Sequence, residues 1–265
     1  MSQQPPAPRA RHGLGLIPDS YDHRDLPFAA PSPEAIAALP PAVDLRGTCS
    51  PVRSQGNLGS CTGFSMSVGL REFLEIKSGN PSPMVPLSPL FLYYEERLLE
   101  GTVDQDSGAM IRDGLKVLQQ MGVCPEADDP YDVSKFTQAP SQPAITAAKM
   151  FTISAYHRIQ TLIQLKTALA GGNGAVLGVT VYESFESPDA DRTGHIPIPQ
   201  RGEQRLGGHA IFCVGYRDDA NYAGGGYVIF KNSWGTGWGD QGYGYLPYQY
   251  VSNHKLTSDI WTASL

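Results

Sequence analysis

The sequence predicts an α+β protein of two lobes, helical in its first half and built on a sheet in its second. Two patterns carry that expectation. Between residues 62 and 121 apolar side chains recur at helical spacing in stretches closed by glycine, whereas between 150 and 231 they gather in short β-branched runs bounded by glycine and polar residues. The length, 265 residues, sets the scale, because it suffices for one large core or two lobes.

Residues 1 to about 12 are rich in Pro, Gln and Arg, too poor in apolar surface to offset chain entropy, and disorder is expected there. Residues 13 to 39 differ. Gly13-Leu-Gly-Leu-Ile17-Pro-Asp19 and Tyr21-Asp-His-Arg-Asp25 mix apolar anchors with charges, so an arm without a core of its own should pack on the body. Gly13 to Asp25 could lie over a cleft and tune access to it, or form a surface-bound structural arm; both readings stay open.

A helix is expected from Thr62 to Lys77, with Phe64, Val68, Phe73 and Leu74 among its apolar residues and Gly79 as its stop. Ser88 to Leu99, with Pro89 in its first turn, and Met110 to Met121, ending at Gly122, read as two more. Met150 to Tyr156, Ala175 to Val181, Ala210 to Tyr216 and Gly226 to Lys231 read as strands, and Thr161 to Ala170 as a helix ended by Gly171-Gly172. The expected body therefore spans 40–265, with a helical lobe over about 40–145, a sheet lobe over about 146–265, and chain ends that cross between them.

Composition removes several classes of function. Apolar residues make up 41% of the chain and no apolar run approaches the ~18 residues a spanning helix needs. A formal net charge of -6 without basic clusters gives no attraction to nucleic acid or to an anionic membrane. No apolar segment follows the basic N-terminus as in a secretory signal, so a cytoplasmic location is the default expectation, with leaderless export as the alternative. The four cysteines show no Cys-x-x-Cys spacing, so neither a metal site nor any cofactor is expected. Cys213 reads as a buried strand residue, Cys124 as packed or bridged, and Cys49 with Cys124 is the one pair worth testing as a disulfide.

Cys61 carries the chemistry. It follows the turn-rich run Gln55-Gly-Asn-Leu-Gly-Ser60 and opens a helix, where free amides and the positive end of the helix dipole favour thiolate. His209, flanked by Gly208 and Ala210 at the start of a strand, supplies a base, and Asn232 an amide to fix its tautomer, with Trp234 to shield that bond from water. Gln55, six residues before Cys61, can fold its amide back beside the Cys61 N–H to make an oxyanion hole, and Gly56 and Gly59 permit the close approach. Taken alone, a cysteine at a helix start is more often a packed small residue, and a lone histidine before a strand more often structural. The ordered set reverses both readings. His12, His23, His157, His195 and His254 lack partner motifs and read as structural or solvated, and the glycines from 235 to 244 as turns.

Gln55-Gly-x-x-Gly-Ser-Cys61, Gly-His209-Ala and Lys231-Asn232-Ser-Trp234-Gly-x-Gly-Trp238-Gly occur in this order over residues 40 to 265, and with them the chain resembles the papain-like cysteine peptidases. Its variants resemble the bacterial xylellain-like branch. The resemblance implies a papain-like two-lobed fold, helical N-terminal lobe against antiparallel β-barrel-like C-terminal lobe, with the active-site cleft between. It also implies a thiolate–imidazolium pair of Cys61 and His209. Leu58 and Asp106 stand where papain has the two halves of a disulfide, and Thr62 where it has Trp. Gly108-Ala109 corresponds to the glycine pair that binds extended substrate, Met110 faces the subsite for the second residue before the cut, and Gly208 and Trp234 complete the substrate-binding set. The expected activity is hydrolysis of peptide or protein substrates through a thioester acyl-enzyme. Two alternatives stand beside it: a peptidase-fold regulatory or binding module with low turnover, and transglutaminase-like acyl transfer to an amine.

Overall fold

The computed structural model describes residues 10–265. Helices α1 (Pro33–Ala37), α2 (Cys61–Phe64), α3 (Glu72–Ser78), α4 (Pro89–Glu100), α5 (Ile111–Gln120) and α6 (Gln142–Ala148) fall in the first part of the chain, with the short strand β1 (Ala42–Asp44). The second part holds β2 (Ala155–Ile159), α7 (Leu162–Ala170), β3 (Ala175–Tyr182), α8 (Pro188–Thr193), β4 (Arg205–Asp218), β5 (Gly226–Lys231), β6 (Tyr243–Pro247), α9 (Tyr248–Val251) and β7 (Thr257–Ser264).

Local chemistry explains where the helices start and stop. Ser88 Oγ accepts from the Phe91 N–H at 3.0 Å while Pro89 presets the first turn of α4, and Gly101 at φ 72° ends it. Between α2 and α3, Ser65–Arg71 forms wide π-type turns, so the expected single helix from Thr62 onward is one continuous rod with a broadened middle. Gly79 at φ 69° closes it. Thr161 and Gln164 cap α7 reciprocally.

The sheet is antiparallel in the order β2-β7-β3-β4-β5-β6, with β1 paired to β4. The strand β1, though it precedes helices α2 to α6 in the chain, thus belongs to the sheet. One face packs on the helical lobe, where Phe212, Val214 and Trp261 meet Met66, Leu70, Phe73 and Phe91. On the other, Leu165 and Leu169 of α7 cover Leu177, Val179 and Phe230. Burial on both faces accounts for the unbroken apolar runs of β3 and β5.

Three expectations need correcting. The first strand begins at Ala155, because Met150 stays largely exposed and Phe151 and Ile153 reach the core from a loop. All four cysteines are free, so Cys49 and Cys124 form no bridge; Cys124 is a packed core residue. The expected disorder over residues 1 to 12 lies mostly outside the described residues, but Arg11 and His12 are placed: the Arg11 N–H donates to Glu186 Oε2 at 2.8 Å, and His12 stacks on Trp234.

Candidate active site

Cys61 is the first residue of α2, and the Ser60 side chain makes no capping bond, which leaves the leading amides of the helix uncapped by it. Ser60 Oγ instead meets Tyr131 Oη at 2.7 Å. His209 lies within β4, opposite Val179 on β3, and so inside a strand instead of at its start. The ring is fully buried. Its Nε2 is 2.8 Å from Asn232 Oδ1, and Trp234 stacks on it with ring centroids 4.6 Å apart. Nδ1 has no hydrogen-bond partner, and the nitrogen left available for a thiol is therefore the one Asn232 does not hold.

Gln55 is buried and fixed at both ends: Ser233 Oγ donates to its Oε1 at 2.5 Å, and its Nε2 donates to Leu58 O at 2.8 Å. That amide also donates to the carbonyl of Gly13 at 3.1 Å. A backbone carbonyl of the N-terminal arm thus sits on the donor expected to receive the oxyanion.

The arm threads the whole site. His12 stacks on Trp234 at 4.2 Å, and Gly15 presents its N–H to the Cys61 sulfur. Leu16 then pairs with Ala109 as in a parallel strand: the Ala109 N–H donates to Gly15 O at 2.8 Å and the Ile17 N–H to Ala109 O at 3.0 Å, while the Leu16 N–H donates to Gly208 O at 3.0 Å. Gly108 and Ala109 are buried, and both backbone groups of Ala109 are taken by the arm. Met110 is the residue before α5, its N–H held by Glu100 Oε1 at 2.8 Å.

Sequence reasoning missed how tight this passage is. A Cβ at Gly15 would lie 1.7 Å from Gly59 O, and one at Gly13 2.3 Å from Leu58 O, so the arm reaches the cysteine only because both are glycine. The Leu16 side chain fills an apolar recess where a Cβ at Gly178 would come within 2.6 Å of its Cδ2 and 2.9 Å of Ser258 Oγ. Neither Gly178 nor Ser258 carries a motif; only the crowding around Gly178 marks them.

Burial beneath the arm governs the electrostatics. Desolvation pushes the Cys61 thiol up to about 12, against the pull of the Ala210 and Gly15 amides, and pushes His209 down to about 4 despite its bond to Asn232. Burial thus disfavours the charged form of each group and opposes the helix-terminal field that favours thiolate.

Comparison with known proteins agrees with the geometry. A family model described as papain family cysteine protease matches residues 39–262. An uncharacterized peptidase C1-like protein of Acanthamoeba polyphaga mimivirus is 40% identical over 216 residues, which cover 78% of this chain and 67% of that protein. Papain of Carica papaya is 28% identical over 236 residues, 86% of this chain and 61% of papain's. The chain thus spans about two thirds of the length of these relatives. Among solved structures, xylellain, a cysteine protease from Xylella fastidiosa, superimposes with a TM-score of 0.85 at 38% identity over 97% of each chain. A digestive procathepsin L of Tenebrio molitor, at 20% identity and a TM-score of 0.71 over 96% of this chain and 76% of its own, shares the fold. This chain belongs to the papain family of cysteine proteases.

Proposed function

We propose that this protein hydrolyses peptide bonds with Cys61 as nucleophile and His209 as general base and acid, and that residues 12–17 hold the site closed until they are displaced. The observation that carries the reading is the set Cys61, His209, Asn232 and Gln55 together with one segment of arm backbone that occupies Gln55 Nε2, both backbone groups of Ala109 and Gly208 O.

With the arm displaced, water and substrate reach the cleft and the Cys61–His209 pair can exchange its proton. His209 Nδ1 takes the Cys61 proton as sulfur attacks the scissile carbonyl carbon. The oxygen that gains charge is received by Gln55 Nε2 and the amide at the start of α2. His209 returns the proton to the leaving amine, leaving a thioester, and then draws a proton from the water that hydrolyses it. Asn232 and Trp234 keep the ring in one tautomer and orientation throughout. Gly208 O and both backbone groups of Ala109 bind the extended substrate, and the recess filled by Leu16 suits a leucine-like side chain.

In the closed form the Gly15 amide acts on the Cys61 sulfur and the arm's backbone holds the groups a substrate would take. Blockage of this kind predicts low turnover while the arm is seated, without a separate binding function. Replacement of Cys61 tests the assignment: Cys61→Ala should abolish both hydrolysis of leucine-containing peptides and labelling by a thiol-directed epoxide, with the fold unchanged by circular dichroism. Equal labelling of the two proteins would remove Cys61 from the mechanism.

A further inference from the structure

The loop that carries the nucleophile and the backbone that pairs with the substrate chain come from separate stretches of the helical lobe, and a hydrogen-bonded clip joins them. The Gly59 N–H, two residues before Cys61, donates to both carboxylate oxygens of Asp106, at 3.0 and 3.1 Å. Tyr93 Oη, from α4, donates to Asp106 Oδ1 at 2.6 Å and receives the Gly108 N–H at 3.0 Å. A tyrosine hydroxyl has one proton. Because Tyr93 gives it to the carboxylate, its oxygen is free to accept from Gly108, and the chain of bonds runs without interruption from Gly59 to Gly108.

A second tyrosine braces the other side of the same loop. Tyr131 Oη donates to the carbonyl of Gln55 at 2.8 Å, which obliges Ser60 Oγ to be the donor in their 2.7 Å contact. Gln55 and Ser60, the residue before Cys61, are thereby tied to one ring. Tyr93 is fully buried, as are Gly59 and Gly108, whereas Asp106 turns one edge to solvent. Steric demand is part of the design, since a Cβ at Gly59 would lie 2.8 Å from Asp106 Oδ1.

We propose that Asp106, Tyr93 and Tyr131 are positioning residues for the peptidase reaction. They fix the separation between the sulfur and oxyanion donors on one side and the Gly108-Ala109 backbone on the other, by hydrogen bonds in a site that has no disulfide. None of the three touches substrate. The proposal rests on Cys61 being the nucleophile, and its consequence is specific: loss of the clip should harm reactions that need substrate held on Ala109 while sparing the intrinsic reactivity of the thiol.

Two rates on the same full-length protein test this: kcat/KM for a peptide with leucine two residues before the cut, and the alkylation rate of Cys61 by iodoacetamide, a reagent too small to need the Ala109 backbone. Their ratio cancels any change in how often the arm is displaced, because both rates scale with the open fraction. In Asp106→Ala and Tyr93→Phe the ratio should fall about tenfold or more, since small misplacements of reacting groups are costly. Asp106→Asn, which keeps an acceptor for Gly59, should recover part of the loss. A ratio within about twofold of the parent in both variants, or two rates that fall together, would overturn the proposal. If Asp106→Ala does not fold, Tyr93→Phe decides alone. Cys61→Ala is the control: alkylation or hydrolysis persisting there would refute the nucleophile itself, a result that the ratio cannot produce.

Discussion

Gly15 concentrates the closure of the site in one residue. It presents an N–H to the Cys61 sulfur and its Cα packs against the Gly59 carbonyl, leaving no space for even a methyl group. Gly15→Ala should therefore unseat the arm and make the full-length protein more active, with an expected gain of about tenfold or more in kcat/KM because the competent fraction rises. Unchanged kinetics in a folded variant would show that the arm does not limit access. Cys61, His209, Asn232 and Gln55 were legible in the sequence because each sits in a short motif whose neighbours serve the same chemistry. Gly15, Gly178 and Ser258 were not, since their meaning comes from atoms of distant segments that approach them only in the folded chain. Asp106 was visible only as the absence of a cysteine; its hydrogen bonds to Gly59 and Tyr93 needed coordinates.

At the scale of elements, the arm is anchored beyond the cleft by a cluster of charges. Asp19 accepts from Trp261 Nε1 at 2.9 Å and from the Arg112 N–H at 3.1 Å, and its own N–H donates to Asp259 Oδ2 at 3.0 Å. Arg158 bonds Asp259 and Asp25 and lies 3.8 Å from Asp19, and Arg112 also holds Asp25, so two guanidinium groups serve three carboxylates. Burial, and then the like charge of Asp259, raises the Asp19 carboxyl from 3.8 to about 6. A carboxyl whose value rises on docking binds a proton there. Its contribution to docking is complete below the free-chain value and is lost as pH rises through about 6. Between about pH 7 and about pH 5 this one group should favour docking by about tenfold, an effect that Asp19→Asn removes. The check is Cys61 alkylation of each full-length protein, normalised at each pH to a chain beginning at residue 39; identical pH dependence in the two would exclude the role. The main helices and strands β3, β4 and β5 were read from the sequence because periodicity and caps are local, whereas β1, β6 and β7 were not read. The strand boundary near residue 150 was not, because exposure of Met150 against burial of Ile153 depends on which side of a loop meets the core.

The whole molecule is a sheet packed on a set of helices, with the cleft where Cys61 at a helix start meets His209 in β4, and an arm that lies through that cleft. The two-part layout followed from composition along the chain, since a switch from helical to strand periodicity is a property of segments. The path of the arm did not, for Gly13 to Asp25 carries apolar anchors and charges that fit a surface site as well as a cleft until Gly208, Ala109 and Asp259 are seen to receive them. A chain beginning at residue 39 keeps the stretch that matches the family model and loses every contact that buries Cys61 from above. The most direct test of a competent but closed site is the iodoacetamide alkylation rate of Cys61 in that shortened chain against the full-length protein at one pH. Closure predicts a rate faster by about tenfold or more in the shortened, folded chain, because the arm otherwise keeps the competent fraction small; equal rates in two folded proteins would contradict it.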